Sequence, residues 1–127
     1  MADIKKYLGI DWGEKRIGLA TGDSEVNLAL PLKTVANLAE VLSVLKEEET
    51  DIIVLGMPQK MSGQAADNPL WQNFRDQLRE RGGRPLVLVD ERLSSRAADS
   101  LAGETGEKAE RDEIAATLIL QDYLDRN

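Results

Sequence analysis

Three acidic positions are the residues of this sequence best placed for chemistry, because each lies where the chain leaves or enters a predicted regular element. Asp11 closes an apolar run, Asp90-Glu91 closes another, and Asp112 precedes a C-terminal helical pattern. The sequence contains no cysteine and no histidine, which removes thiol chemistry, disulfides and the usual general base. Any catalysis must therefore use carboxylates, lysine, hydroxyl groups or a bound metal.

Each acid also has an ordinary structural interpretation. Asp11 could belong to an acidic hairpin turn, because Asp is common at strand ends for turn chemistry. Glu91 could be a surface carboxylate beside Arg92, and Asp112 could be a helix N-cap. The residue pattern leaves these alternatives open for each acid taken alone.

The first part of the chain has the pattern of antiparallel strands. Leu8 and Ile10 share one face of a short strand, Gly13 permits a tight turn, and an alternating pattern restarts at Ile17. Residues 28–35 predict a third strand, in which Pro31 is tolerated only at a sheet edge.

The rest of the chain alternates helical and strand patterns. Asn37 is a predicted N-cap for a helix over 38–48, and Asn68-Pro69 opens a second helix that ends at Gly82-Gly83. Continuous apolar runs predict strands buried on both faces. The remaining assignments are buried strands at 51–56 and 85–89, a core face of Leu70, Trp71, Phe74 and Leu78, a short helix capped by Ser94 or Ser95, a loop over 103–110, and a last helix with Ile114, Leu118, Leu120 and Leu124.

This order predicts an α/β fold, with a mixed five-stranded sheet whose first three strands are antiparallel and whose helices cover both faces. A length of 127 residues with 42% hydrophobic content suits one compact domain over residues 1–127. The N-terminal residues predict neither a signal peptide nor a membrane span, so a cytoplasmic location is expected.

The net charge of −7 is unusual for a protein that binds nucleic acid, because Lys and Arg supply most non-specific affinity for phosphates. Two divalent ions in a carboxylate site would offset only about four charges. A nucleic-acid-binding function therefore predicts either weak affinity or a basic patch on one face.

Three blocks of the sequence, taken in order, carry a family pattern over nearly the whole chain. They are residues 9–13 with 15–20, residues 90–95, and residues 112–116 running into 119–125. Together they resemble the YqgF/RuvX family of Holliday-junction-resolvase-like proteins, small relatives of the RNase H superfamily. The resemblance implies an RNase H-like fold, and it implies that Asp11, Glu91 and Asp112 are the catalytic, metal-binding acids.

Metal-dependent phosphodiester hydrolysis suits a chain without histidine. Two Mg²⁺ or Mn²⁺ ions about 3.5–4 Å apart activate water and stabilise the attacking and leaving oxygens, and Mg²⁺ prefers oxygen ligands. Four cations lie near the acids in sequence or in the loop after the central buried strand, and we expect them to bind substrate phosphates: Lys15, Arg16, Lys60 and Arg92. Solvated surface charge is the alternative, above all for Lys15 and Lys60.

The family resemblance implies a nuclease that matures the 5′ end of the precursor of 16S rRNA, with ribosomal precursor particles as partners. Residues 103–111, which lead to the last acid, contain three Glu against one Lys and one Arg. Ala115 replaces the fourth acid of true junction resolvases. Structured or single-stranded RNA is therefore favoured over a DNA junction, and a non-catalytic binding module is the alternative from another class. Monomer and homodimer both stay open.

Overall fold

The computed structural model describes residues 3–58, 68–90 and 108–126. Five strands and three helices lie in this part of the chain. They are β1 (Lys6–Asp11), β2 (Ile17–Asp23), β3 (Leu30–Val35), α1 (Leu38–Glu47), β4 (Ile52–Met57), α2 (Pro69–Gly82), β5 (Leu86–Asp90) and α3 (Lys108–Arg126).

The strands form one mixed sheet in the order β3-β2-β1-β4-β5. β1 pairs with β2 and β2 with β3 in antiparallel fashion, whereas β4 is parallel to β1 and β5 is parallel to β4. The carboxyl ends of β1, β4 and β5 therefore meet at one edge of the sheet. Pro31 lies in the edge strand β3, as its missing N–H requires.

The two faces of the sheet carry separate hydrophobic cores, which confirms the predicted helices on both sides. Leu8 and Ile10 of β1 point into the core beneath α1 and α2, together with Trp71 and Leu78 of α2. The opposite face packs against α3, whose apolar contacts are Ala116, Ile119, Leu120 and Leu124. None of the helices in the described ranges is long and apolar enough to cross a membrane.

The helix boundaries follow the local signals in the sequence. Asn37 accepts a hydrogen bond from the backbone N–H of Glu40 and Asn68 accepts one from Trp71, so both asparagines are N-caps. Pro69 occupies the first helical turn of α2, and Gly83 adopts the left-handed conformation (φ 64°) at its end.

Four details of the sequence interpretation were wrong. Only Val89 of β5 is buried, because β5 is an edge strand within the described sheet. Leu70 is 55% exposed instead of belonging to the core. Helix α3 begins at Lys108, within the segment predicted as a loop. Its core face is built on Ala115, Ala116 and Ile119 in place of Ile114 and Leu118.

Candidate active site

Asp11 lies at the carboxyl end of the central strand β1, on the face that packs against α3. Strand alternation sends Leu8 and Ile10 to the α1–α2 core, so Tyr7, Gly9 and Asp11 point to the other face. Contacts of the first two residues confirm this direction. The Tyr7 ring meets Tyr123 of α3 with centroids 5.6 Å apart, and a Cβ on Gly9 would lie 2.7 Å from Cβ of Leu120.

Gly18 links Asp11 to Asp112 through backbone geometry. Asp11 pairs directly with Gly18 across the β1–β2 hairpin, and directly paired residues present their side chains on the same face about 4.5–5.5 Å apart. A Cβ built on Gly18 would overlap the carbonyl group of Asp112 and lie 2.9 Å from its Cβ. The sheet and the helix therefore bring the two acids to the same place on one face, although 101 positions separate them in the sequence.

Polar contacts fix α3 over the sheet at the end remote from Asp112. The Gln121 side chain accepts a hydrogen bond from the Ala29 N–H at 2.8 Å and donates one to the Asn27 carbonyl at 3.2 Å. The Asn27 amide in turn donates to the Leu124 carbonyl at 3.2 Å. Such support restricts movement of the helix, so Asp112 is held by rigid elements rather than by a loop.

Arg16 forms an ion pair with Asp112, in which Nε donates to Oδ2 at 2.9 Å. The Asp112 side chain is only 17% exposed, while the Arg16 side chain is 40% exposed. The turn between β1 and β2 supports this placement, because a Cβ on Gly13 would lie 2.7 Å from the Arg16 carbonyl oxygen. Gly13 is therefore needed because a side chain would collide with the backbone of Arg16. It is not needed for an unusual backbone conformation, since its φ is not positive.

Asp112 is predicted from the sequence to be either a catalytic acid or a helix N-cap, and the helix boundary excludes the second role. α3 begins four residues earlier, at Lys108, so Asp112 lies inside the helix. Its side chain contacts a residue of the β1–β2 turn, as the ion pair with Arg16 shows. An N-cap carboxylate would instead accept from the backbone N–H groups of its own first turn.

Sequence reasoning missed Glu113 and Thr34. Thr34 of β3 donates through Oγ1 to Glu113 Oε2 at 3.1 Å, and Thr34 pairs with Gly18 on the adjacent strand. Thr34, Gly18 and Asp11 are paired neighbours on three adjacent strands. The consecutive helix residues Asp112 and Glu113 contact Gly18 and Thr34 of this row. A usable signal was the run of small residues at alternate positions 18, 20 and 22, which permits close approach of a helix to one face of β2.

The other residues named from the sequence divide into those that the structure describes and those that it does not. Lys15 is exposed in the turn beside Arg16. Lys60, Glu91, Arg92 and the proposed caps Ser94 and Ser95 lie outside the described residues. Asp90, which precedes Glu91 in the sequence, ends β5 at the same sheet edge as Asp11.

Asp11 and Asp112 provide the type of donor that hard divalent cations prefer. An ionised carboxylate has two oxygens and about four acceptor positions, so the contact of Arg16 with Oδ2 leaves further positions on Asp112 for a cation. Within the part of the chain that the structure describes, no group of three acidic side chains is arranged to hold a metal ion. A third ligand would have to come from elsewhere, and Glu91 stays the prediction for it.

The sheet order, with helices packed on both faces, defines the class of fold, which is RNase H-like. Thermus thermophilus RuvC in complex with a Holliday junction substrate has a similar backbone, with a TM-score of 0.60 and 16% sequence identity over 97% of this chain and 96% of that chain. The large terminase nuclease of the thermophilic phage G20c is similar over 95% of this chain and 82% of its own, with a TM-score of 0.52 and 13% identity. At these identities the likeness concerns the fold alone.

The family model for RuvX, described as Holliday junction resolvase, matches residues 5–126. The chain therefore belongs to the RuvX family. A relative from Anaeromyxobacter sp. (strain Fw109-5) is 38% identical over 94% of this chain and 96% of its own length. One from Methylobacillus flagellatus is 37% identical over 93% of this chain and 89% of its own. Both relatives are named as candidate pre-16S rRNA nucleases.

Proposed function

We propose that this protein is a nuclease that hydrolyses phosphodiester bonds in RNA during 5′-end maturation of the precursor of 16S rRNA. The observation that carries the proposal is the direct pairing of Asp11 with Gly18, together with the contact between Gly18 and Asp112. Two carboxylates on rigid elements at one sheet edge suit phosphodiester chemistry. The names of the relatives support the choice of RNA substrate.

We propose that two Mg²⁺ or Mn²⁺ ions bind at the end of the sheet where β1, β4 and β5 terminate. Their protein ligands would be Asp11, Asp112 and Glu91. The chemistry that such ions supply is activation of water and compensation of the charge that develops on the attacking and leaving oxygens. The carboxylate donors of Asp11 and Asp112 fit this requirement, because Mg²⁺ takes oxygen ligands and is usually held by only one or two carboxylates.

The protein itself supplies positioning and charge. Asp11 is fixed by a central strand that is hydrogen-bonded on both sides, and Asp112 is fixed by the anchored helix α3. Lys15 and Arg16 place two cations in the turn next to these acids, where they can bind the phosphate groups that flank the scissile bond. Lys60 and Arg92 complete the proposed substrate contacts.

We take residues 1–127 as one nuclease domain that acts on ribosomal precursor particles in the cytoplasm. Recognition of such particles would add contact area beyond the sheet edge and so compensate for the acidic balance of the chain, since a net charge of −7 opposes non-specific binding to RNA.

A Holliday junction is the second candidate substrate, because the description of the matched family favours it. The acidic composition of residues 103–111 favours RNA instead. Parallel cleavage assays on a labelled rRNA precursor and a labelled four-way DNA junction separate the two. Cleavage of the junction with no cleavage of the precursor would establish the second candidate.

The proposal is tested by cleavage of a labelled fragment of the 16S rRNA precursor with wild-type and Asp11→Asn protein, in Mg²⁺, Mn²⁺ or EDTA. We expect metal-dependent cleavage that the substitution abolishes. Equal binding of RNA by both proteins without cleavage in either would contradict the nuclease proposal for this substrate and support a non-catalytic binding module.

A further inference from the structure

The contact between Arg16 and Asp112 uses only one of the donors of the guanidinium. A guanidinium has five N–H donors, and only Nε contacts Asp112, at 2.9 Å. Within the described residues, the Nη1 and Nη2 groups have no protein partner. The Arg16 side chain is 40% exposed, whereas the carboxylate that holds it is 17% exposed, so the contact secures one side of the guanidinium and leaves part of the side chain open to solvent.

We propose that Asp112 orients Arg16 as a bidentate phosphate clamp, in which Nε is fixed to Asp112 and the two Nη groups bind the non-bridging oxygens of an RNA phosphate. The clamp rests on the proposed function for the identity of the substrate. Asp112 thereby acts as a positioning residue for substrate binding, in addition to its proposed part in metal binding.

The physical reason lies in the planarity of the guanidinium. Its donors form a rigid fork that matches two oxygens of a phosphate. A hydrogen bond at Nε restricts the positions and orientations that the planar group can adopt, so part of the side-chain freedom that would be lost on binding is lost during folding instead. A lysine at this position would supply the charge without this fixed plane.

Removal of the Asp112 side chain should have two opposite effects on RNA affinity, one through charge and one through the orientation of Arg16. Asp112 is an anion close to the phosphate that Arg16 would bind, so its removal should strengthen RNA binding on Coulombic grounds. Asp112→Asn and Asp112→Ala remove the same charge, but only Asn keeps an oxygen that can accept from Nε. A difference in RNA affinity between these two variants therefore measures orientation and not charge.

The experiment measures RNA affinity by fluorescence anisotropy in EDTA at low salt, where metal ligation by Asp112 makes no contribution. We expect Asp112→Ala to bind RNA about 3- to 10-fold more weakly than Asp112→Asn, within the range of interaction energies between residues in contact. In an Arg16→Gln background the ratio should fall to about 1. The same pair of substitutions at Asp122, which contacts Arg126 at 3.2 Å on the same helix, is the matched control and should give a ratio of about 1.

A second measurement does not depend on RNA. The Nε–Hε signal of Arg16 in nitrogen-15 NMR spectra should be protected from solvent exchange in the wild type and in Asp112→Asn, and it should lose this protection in Asp112→Ala. Titration with inorganic phosphate should shift the signal in the first two proteins and much less in the third. Circular dichroism melting curves establish that all three proteins are folded.

Equal affinities of Asp112→Ala and Asp112→Asn for RNA, or a ratio that persists in the Arg16→Gln background, would overturn the clamp. If the wild type binds no RNA, the proposed RNA substrate fails, and the phosphate titration then decides the clamp separately. Identical shifts in all three proteins, or no shift in any, would reject it.

Discussion

Gly18 and Asp112 are in direct contact, and no side chain at position 18 could fit between β2 and the first part of α3. The position of the acid on the helix is therefore set by a glycine on the sheet, which is itself paired with Asp11. Because both neighbours of this glycine are acids of the candidate site, packing and site geometry depend on the same residue.

Substitution Gly18→Ala should destabilise the protein by about 2–3 kcal/mol, because the new methyl group overlaps the Asp112 carbonyl and forces the helix away. Urea denaturation measures this cost, and cleavage by the remaining folded protein should also fall. Gly83→Ala is the control, since no atom lies within 4 Å of its Cβ and only its positive φ is strained; we expect about 1 kcal/mol there. A Gly18→Ala protein with wild-type stability would show that α3 is not closely packed on β2.

Substitution Asp11→Asn should lower the cleavage rate by about 100-fold or more, because a metal ion contributes several kcal/mol of transition-state stabilisation and about 1.4 kcal/mol corresponds to a factor of ten. Its unfolding free energy should change far less than the activation free energy of cleavage, because the side chain keeps its size and the change removes a like charge from the neighbourhood of Asp112. Single-turnover cleavage and urea denaturation measure the two effects. Asp76→Asn, at an exposed ion pair on α2, should change neither, and equal losses in both variants would contradict a special role for Asp11.

Trp71 is a core residue and not a platform for base stacking, in agreement with its predicted role, because it is fully buried beneath the sheet. Trp71→Ala should cost about 3–5 kcal/mol of stability. Trp71→Phe should cost far less, since the indole Nε1 is buried without a hydrogen-bond partner in the described structure and its removal relieves that penalty. RNA affinity of folded Trp71→Phe should equal that of the wild type, and a loss of affinity without a loss of stability would indicate stacking.

The pKa of Tyr7 is raised above its usual value of 10.0 by burial first, and then by the nearby Tyr123 and Asp51. The folded state thus favours the neutral phenol, whose contribution to stability is complete below about pH 10 and is lost as the pH rises through the raised pKa. Urea denaturation at pH 8 and pH 11 should show this loss in the wild type and a smaller one in Tyr7→Phe. Tyr123→Phe should keep most of the loss because burial is the largest cause, and an identical pH dependence in Tyr7→Phe would refute the assignment.

Local signals in the sequence predicted most of the secondary structure correctly. Asn37 and Asn68 are N-caps, Pro69 and Gly83 bound α2, and alternation in residues 7–11 separates the two faces of β1. These features depend on residues a few positions apart, so the pattern in one short segment is enough to predict them. The errors at β5 and Leu70 concern burial, which depends on the elements that cover a segment and not on the segment itself.

Residue patterns alone were enough to predict the fold class, the order of the elements, and the carboxylate character of a chain that has neither histidine nor cysteine. Three relationships could be seen only in the folded protein: Asp11 and Asp112 share one face, Gly18 contacts both of them, and Arg16 binds Asp112 through Nε. Strand register and helix docking set these relationships, and both arise from packing between residues far apart in the chain. Periodicity reports which face a residue occupies along its own element, but it carries no information about which residue of another element lies opposite.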